Sequence, residues 1–124
     1  MRLELKDKKP VIGFSYAWQG IRFVIKSERN FRIHLVAAIL VFIAGWILQI
    51  SLMEWIIIVI LIGMVLITEM LNTVVEQMID YIKPELHPAA KQIKDIAAGA
   101  VLIAAMVAAI IGCLVFIPKI VPLM

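Results

Sequence analysis

Thr68-Glu69-Met70-Leu71-Asn72-Thr73-Val74-Val75-Glu76-Gln77-Met78-Ile79-Asp80 follows an unbroken apolar run from Trp55 to Ile67. At about 100° per residue, one helix through both puts Glu69, Asn72, Glu76 and Asp80 on a single narrow stripe. Met70, Leu71, Val74, Val75, Met78 and Ile79 keep the other faces apolar. A carboxylate one or two turns inside a membrane span is costly unless it has a partner, and such residues usually mark function. Two carboxylates and an amide on one face suit a hard cation, above all one already carrying phosphate oxygens. The alternative is a polar stripe that glues helices together. Asn72 alone could serve there, but carboxylates that repel one another are poor glue.

The composition sets the frame for that stripe. The chain has 124 residues, 64% of them hydrophobic, and a mean hydropathy of +1.04. An ordinary soluble domain is roughly 45–50% apolar, so that class is excluded. The length fits one domain. The N-terminus is polar and the first long apolar run begins near Ile33, so no cleavable signal peptide is expected. Cys113, the single cysteine, cannot form an intrachain disulfide and reads as a small membrane-buried side chain.

Segments of about 33–50, 52–81 and 96–117 are long enough to cross a bilayer, which takes roughly 20 apolar residues. The Gln49-Ile50-Ser51 connection is so short that the first two must form a tight antiparallel hairpin. The second is longer than a membrane requires, and its last turns should emerge with their carboxylates into the interface. The third carries no charge, follows Lys94-Asp95, and is expected to end at Pro118 and Pro122. The fold expected is an all-α membrane protein with three transmembrane helices.

Of the 12 Lys and Arg residues, eight precede the first span, three lie between spans two and three, and Lys119 alone follows the third. The positive-inside rule then places the N-terminus and the 82–95 loop in the cytoplasm and the C-terminus outside. The pI near 9.2 reflects this topology and attraction to anionic headgroups, with no nucleic-acid partner implied. Glu28 and the polar stripe share the cytoplasmic boundary, where ATP and magnesium are available.

The stretch of about 11–28 is too short and too polar to span. Ser15, Gln19, Arg22 and Lys26 recur at helical spacing, and Trp18 suits the headgroup level, as in an amphipathic helix lying in the membrane surface. The polar cluster at its end, Ser27-Glu28-Arg29-Asn30-Phe31-Arg32-Ile33-His34, is more than an anchor needs, although Arg29 and Arg32 fit positive-inside anchoring. In span three, Ala100, Ala104, Ala108 and Gly112 repeat every four residues, a spacing that lets membrane helices approach closely. Three short spans enclose too little interior for a polar site and its reactants, which points to a homo-oligomer with sites between subunits.

In the loop Lys83 to Asp95, Lys94 can pair with phosphate oxygens as a point charge. Asp95 can hold that lysine or accept from a ribose hydroxyl. No Gly-x-x-x-x-Gly-Lys-Ser/Thr, Gly-x-Gly-x-x-Gly or His-Glu-x-x-His pattern occurs, so a bound nucleotide lacks the common soluble cradles. His34 and His87 have too few companions for a transition-metal site.

Glu69-x-x-Asn72-x-x-x-Glu76-x-x-x-Asp80 followed by Lys94-Asp95-x-x-x-x-Ala100-Val101-Leu102 resembles the small prokaryotic integral-membrane diacylglycerol kinase family, over nearly the whole chain. Glu28 through His34 and Ala97-Ala98-Gly99-Ala100 are more similar to its undecaprenol kinase branch, typical of Gram-positive bacteria. The resemblance implies a homotrimeric helical bundle in the bacterial cytoplasmic membrane, with composite sites between subunits. It implies transfer of the ATP γ-phosphoryl group to a lipid hydroxyl, of undecaprenol or a diacylglycerol, with Mg²⁺ present. By motif, Glu28 and Glu76 would ligate the metal, Glu69 would be the general base and Asn72 would orient the phosphoryl group. Lys94 and Asp95 would contact the nucleotide, and Tyr16, Glu85 and His87 match positions near it. Ala98 stands where the better-known branch carries a serine. Phosphoryl transfer rests on positioning and charge neutralisation, which these residue types supply.

Two other classes compete. A cation- or proton-conducting oligomer would spread its carboxylates across the bilayer, whereas those of span two are read as gathered in its cytoplasmic half. A regulatory subunit without chemistry would not need acids from three segments at one membrane face.

Overall fold

A computed structural model describes residues 10–82 and 87–124, with side chains from residue 13 onward. Helix α1 spans Pro10–Ser27, α2 Arg29–Leu48, α3 Leu52–Ile82 and α4 Pro88–Ile120, with a 3₁₀ turn at Val121–Leu123. Among the described residues there is no strand. Helices α2, α3 and α4 are each long and apolar enough to cross a membrane. The chain is a multi-pass membrane protein.

The α2–α3 hairpin is built by its turn. Gln49 adopts φ 51°, the left-handed conformation that commonly ends a helix. The Ile50 N–H then reaches back to the Gly45 carbonyl at 3.2 Å. Ser51 and Glu54 form a reciprocal capping box at the start of α3: the Ser51 N–H donates to Glu54 Oε1 (2.8 Å) and the Glu54 N–H to Ser51 Oγ (3.2 Å). Gly45 is a close approach, because a Cβ there would sit 2.8 Å from the Trp55 ring. Ile50, Ile58 and Val115 are buried at this end, with Trp55, Ile62 and Phe116 packed against them. Gly45 and Trp55 lie five residues either side of residue 50, and that antiparallel register carries the rest of the hairpin.

Helices α3 and α4 make the most extensive packing in the chain, and an ion pair closes each end of it. Lys94 pairs with Asp80 at one end, and Lys119 Nζ lies 3.2 Å from Glu54 Oε1 at the other. Asp80 is 26 residues beyond Glu54, about 39 Å along a helix. The hydrocarbon core is about 30 Å thick, so both pairs fall near an interface. Glu54 therefore corrects the reading that every acid of span two lies at one end. This acid sits at the opposite end, already engaged by its cap and by Lys119.

Two boundaries differ from expectation. Helix α4 begins at Pro88, well before the apolar run, because His87 Nδ1 accepts from the Ala89 N–H (3.0 Å) and proline is tolerated where no helical N–H is needed. The part of the expected 82–95 loop from Pro88 onward is therefore helical. Pro118 does not end α4, which continues to Ile120. One lost main-chain bond in the final turn is tolerated where the helix is about to stop.

The small-residue stripe is buried within the chain at one of its four positions, and a Cβ at Gly112 would meet open space. Ala104 is buried, and Ala108 and Gly112 are half-buried, while Ala100 is exposed. No more than 28% of the most apolar window of any span is buried, so lipid or further protein covers the remainder.

Candidate functional site

The site begins with a break of one residue. Glu28 is extended (φ −113°, ψ 110°) between α1 and α2, yet its N–H still bonds to the Val24 carbonyl (2.9 Å). Its carbonyl accepts from the Arg32 N–H (3.3 Å), so both helical ladders run up to it. Arg32 holds the bend: Nη1 donates to the Ile25 carbonyl (2.8 Å) and to the Lys26 carbonyl (2.9 Å). These are terminal carbonyls of α1, where a cation is favoured by the helix dipole. Arg32 therefore has a structural task beyond positive-inside anchoring.

From that bend, Glu28 faces α3. Thr73 Oγ1 lies 3.1 Å from Glu28 Oε1 and 3.1 Å from the Glu69 carbonyl oxygen. Its single proton serves one acceptor at a time. Thr73 and Glu69 are the two buried polar residues of the described chain, Glu69 at 4% exposure. His34 Nε2, from α2, lies 3.3 Å from Glu69 Oε1. Asn72 is half-buried, and its Oδ1 is enclosed without a hydrogen-bond partner. Glu76 is also half-buried, within electrostatic reach of Glu28, Lys94, Asp80 and Glu69. The stripe thus grades from buried Glu69 to exposed Asp80 as α3 leaves the bundle.

Helix α4 adds Lys94 beside this row, through Asp80. Asp95 does not hold Lys94 as the sequence suggested; it accepts from Lys91 Nζ at 2.6 Å. Neighbouring residues on a helix point about 100° apart, whereas residues four apart share a face. His87 caps α4, and Tyr16 is exposed on α1. Glu85 lies outside the described residues. Glu28, Glu69, Asn72, Glu76 and Lys94 are gathered at one end of the bundle, while Tyr16 and His87 have no described contact with that row.

Thr73, and the particular partners of His34 and Arg32 within the Glu28–His34 cluster, are not evident from residue type and spacing. The hairpin register was the available signal for two of them. Glu28 and Thr73 lie 22 and 23 residues either side of residue 50, and His34 and Glu69 lie 16 and 19. In an antiparallel pair with equal rise, such positions meet to within a turn.

Below Glu69, a cavity of about 250 Å³ opens between α2, α3 and α4, lined by His34, Ala38, Val41, Val65, Leu66 and Ala105 among others. Apart from His34 its lining is apolar. The arrangement is a polar row at the end of the bundle, opening onto an apolar space.

Comparison with known proteins agrees with this geometry. Residues 15–116 match the sequence profile described as prokaryotic diacylglycerol kinase. The chain is 45% identical over 107 residues to an undecaprenol kinase of Bacillus subtilis (strain 168), covering 86% of this chain and 87% of that one. It is 36% identical over 115 residues to a diacylglycerol kinase of Synechocystis, covering 92% and 66%. It is 36% identical over 100 residues to a diacylglycerol kinase of Escherichia coli K12, covering 80% and 81%. A profile match across most of the chain, together with full-length relatives at this identity, means that the chain belongs to the prokaryotic diacylglycerol kinase family.

Proposed function

We propose that this lipid kinase transfers the γ-phosphoryl group of ATP to the hydroxyl of undecaprenol, at sites completed between the subunits of a homotrimer. The observation that carries this reading is the convergence of Glu28 from the α1–α2 bend with Glu69, Asn72 and Glu76 of α3, beside Lys94 of α4. The higher identity to an undecaprenol kinase, 45% against 36% for the diacylglycerol kinases, supports the polyprenol as acceptor. A diacylglycerol is the second acceptor, favoured by the names of the other relatives.

The residues fit a magnesium ion. Glu28 and Glu76 are two carboxylates near enough to repel one another, and Asn72 Oδ1 is an enclosed acceptor without a donor. Among the described residues no three of His, Cys, Asp and Glu form a ready metal cluster. Mg²⁺ usually takes one or two carboxylates and completes its shell with water and phosphate oxygens, so two carboxylates and an amide oxygen would suffice. Bound there, Mg²⁺ would neutralise charge on the transferring phosphates. Glu28 and Glu76 would hold it. Lys94, released from Asp80, would pair with phosphate oxygen, and Asp95, with Tyr16, Glu85 and His87, would contact the nucleotide.

Glu69 lies seven residues before Glu76 on α3, about 10 Å deeper along the helix. It would take the proton of an acceptor hydroxyl arriving from the apolar cavity, while Asn72 orients the phosphoryl group. Helix α1 would lie in the headgroup layer of the bacterial cytoplasmic membrane, with the N-terminus and the 83–87 connection in the cytoplasm and the C-terminus outside. A conducting oligomer is disfavoured, because Glu54, the acid at the far end of α3, is already paired with Lys119.

The test is the purified protein in mixed micelles with Mg-ATP and either undecaprenol or a diacylglycerol. Faster phosphorylation of undecaprenol is expected. A clear preference for diacylglycerol overturns the acceptor, and no transfer to either lipid overturns the kinase reading.

A further inference from the structure

His34 is the side chain that meets the candidate base without a role in the site described so far. Its ring reaches from α2 to Glu69 of α3, with Nε2 3.3 Å from Oε1, and it stands at the polar end of the apolar cavity. The Glu69 side chain is 6% exposed, so water contributes little to its solvation. The nearby hydroxyl, Thr73 Oγ1, is directed to the Glu69 main-chain oxygen and to Glu28, not to the Glu69 carboxylate. The nearby carboxylate of Glu76 repels it. A buried carboxylate without a donor is costly, and among the described side chains the imidazole is placed to supply one.

We propose that His34 is a positioning residue for Glu69: its Nε2 proton holds Oε1, which turns Oε2 toward an acceptor hydroxyl entering through the apolar cavity. The inference rests on the reading of Glu69 as the base. A carboxylate on three rotatable bonds can swing toward Glu76 and a bound cation, or toward the lipid-facing space. Fixing one oxygen from the neighbouring helix selects the second orientation. His34 suits this task because its ring belongs to a rigid helix whose register with α3 is already determined by the 49–51 turn. A purely structural histidine joining α2 to α3 would affect assembly without acting selectively on turnover.

The experiment compares the full-length wild type with His34→Leu, His34→Gln and His34→Asn in micelles containing undecaprenol. A glutamine amide can present a donor near the position of Nε2, whereas asparagine is one bond shorter and leucine has no donor. His34→Leu and His34→Asn are expected to lose about tenfold or more in kcat, the scale of a lost charge-assisted bond to a general base. KM for Mg-ATP and for the lipid should stay within about twofold, and His34→Gln should recover most of the kcat. Because His34→Asn is the smaller change, the comparison of Gln with Asn stands even where the leucine variant fails to assemble. Equal kcat in all variants and the wild type, or equal loss in Gln and Asn, overturns the positioning role alone. A wild type inactive on every lipid overturns the kinase reading and this role with it.

Discussion

Thr73→Val replaces a buried hydroxyl by a methyl group of nearly the same shape, and so removes its hydrogen bonding with little change in volume. The hydroxyl lies 3.1 Å from the Glu28 carboxylate across the α2–α3 hairpin. A hydrogen bond to a charged group contributes roughly 1.5–3 kcal/mol. The same proton is shared with the Glu69 carbonyl at 3.1 Å, and Glu28 is half-buried, which together leave about 1 kcal/mol for holding Glu28. That corresponds to about fivefold in the apparent Mg²⁺ requirement of the kinase reaction. Thr73→Ser keeps the hydroxyl and loses one buried methyl, which costs about 1 kcal/mol of stability without acting on Glu28. The assay is turnover against free Mg²⁺ at saturating ATP and lipid, with thermal unfolding of both variants in the same detergent. Both variants should lower the melting temperature by a similar amount, but valine alone should shift the Mg²⁺ curve. Matching Mg²⁺ curves for valine and wild type would show that Thr73 does not position Glu28 for a metal.

Further outcomes follow from other contacts. Glu69→Gln should lose at least about 10²-fold in turnover while Mg-ATP still binds, because a general base is worth that much; loss of nucleotide binding in the same variant would move Glu69 into the metal site. Glu76→Gln should abolish turnover and weaken magnesium-supported ATP binding, read by calorimetry, and normal activity would remove Glu76 from the metal assignment. Gly45→Val should destabilise the α2–α3 hairpin by about 1–3 kcal/mol, since its Cβ meets the Trp55 ring at 2.8 Å; an unchanged melting temperature refutes that close approach. Ala104→Leu should overpack α3 against α4 and lower stability, whereas Ala100→Leu, on an exposed position, should leave the fold intact. Cross-linking of the Ala100 variant then reports whether that face meets another subunit.

Much of this molecule was legible because its signals are local. Apolar runs of sufficient length mark α2, α3 and α4, and the short Gln49-Ile50-Ser51 connection forces the first pair antiparallel. The 3.6-residue period was enough to place Glu69, Asn72, Glu76 and Asp80 on one face, and they are now seen to run from interior to surface. Hydropathy alone could not say where α4 begins, because His87 and Pro88 start it through capping, eight residues ahead of the apolar span. Nor did an overall charge pattern reveal that Glu54 is engaged at the far end of the α3–α4 pair.

The partners of the polar residues are a different kind of information. Lys94 with Asp80, Asp95 with Lys91, Thr73 with Glu28 and His34 with Glu69 each depend on which turn of one helix faces which turn of another, or on which faces remain free. A slip of two residues along a helix rotates a side chain by about 200° and moves it to the opposite face. Residue type and spacing therefore determined which chemistry the chain carries and at which end of its spans. The tertiary structure decided which groups meet, because helix register is set by close packing at Gly45 and Trp55 and by ion pairs at both ends of α3 and α4.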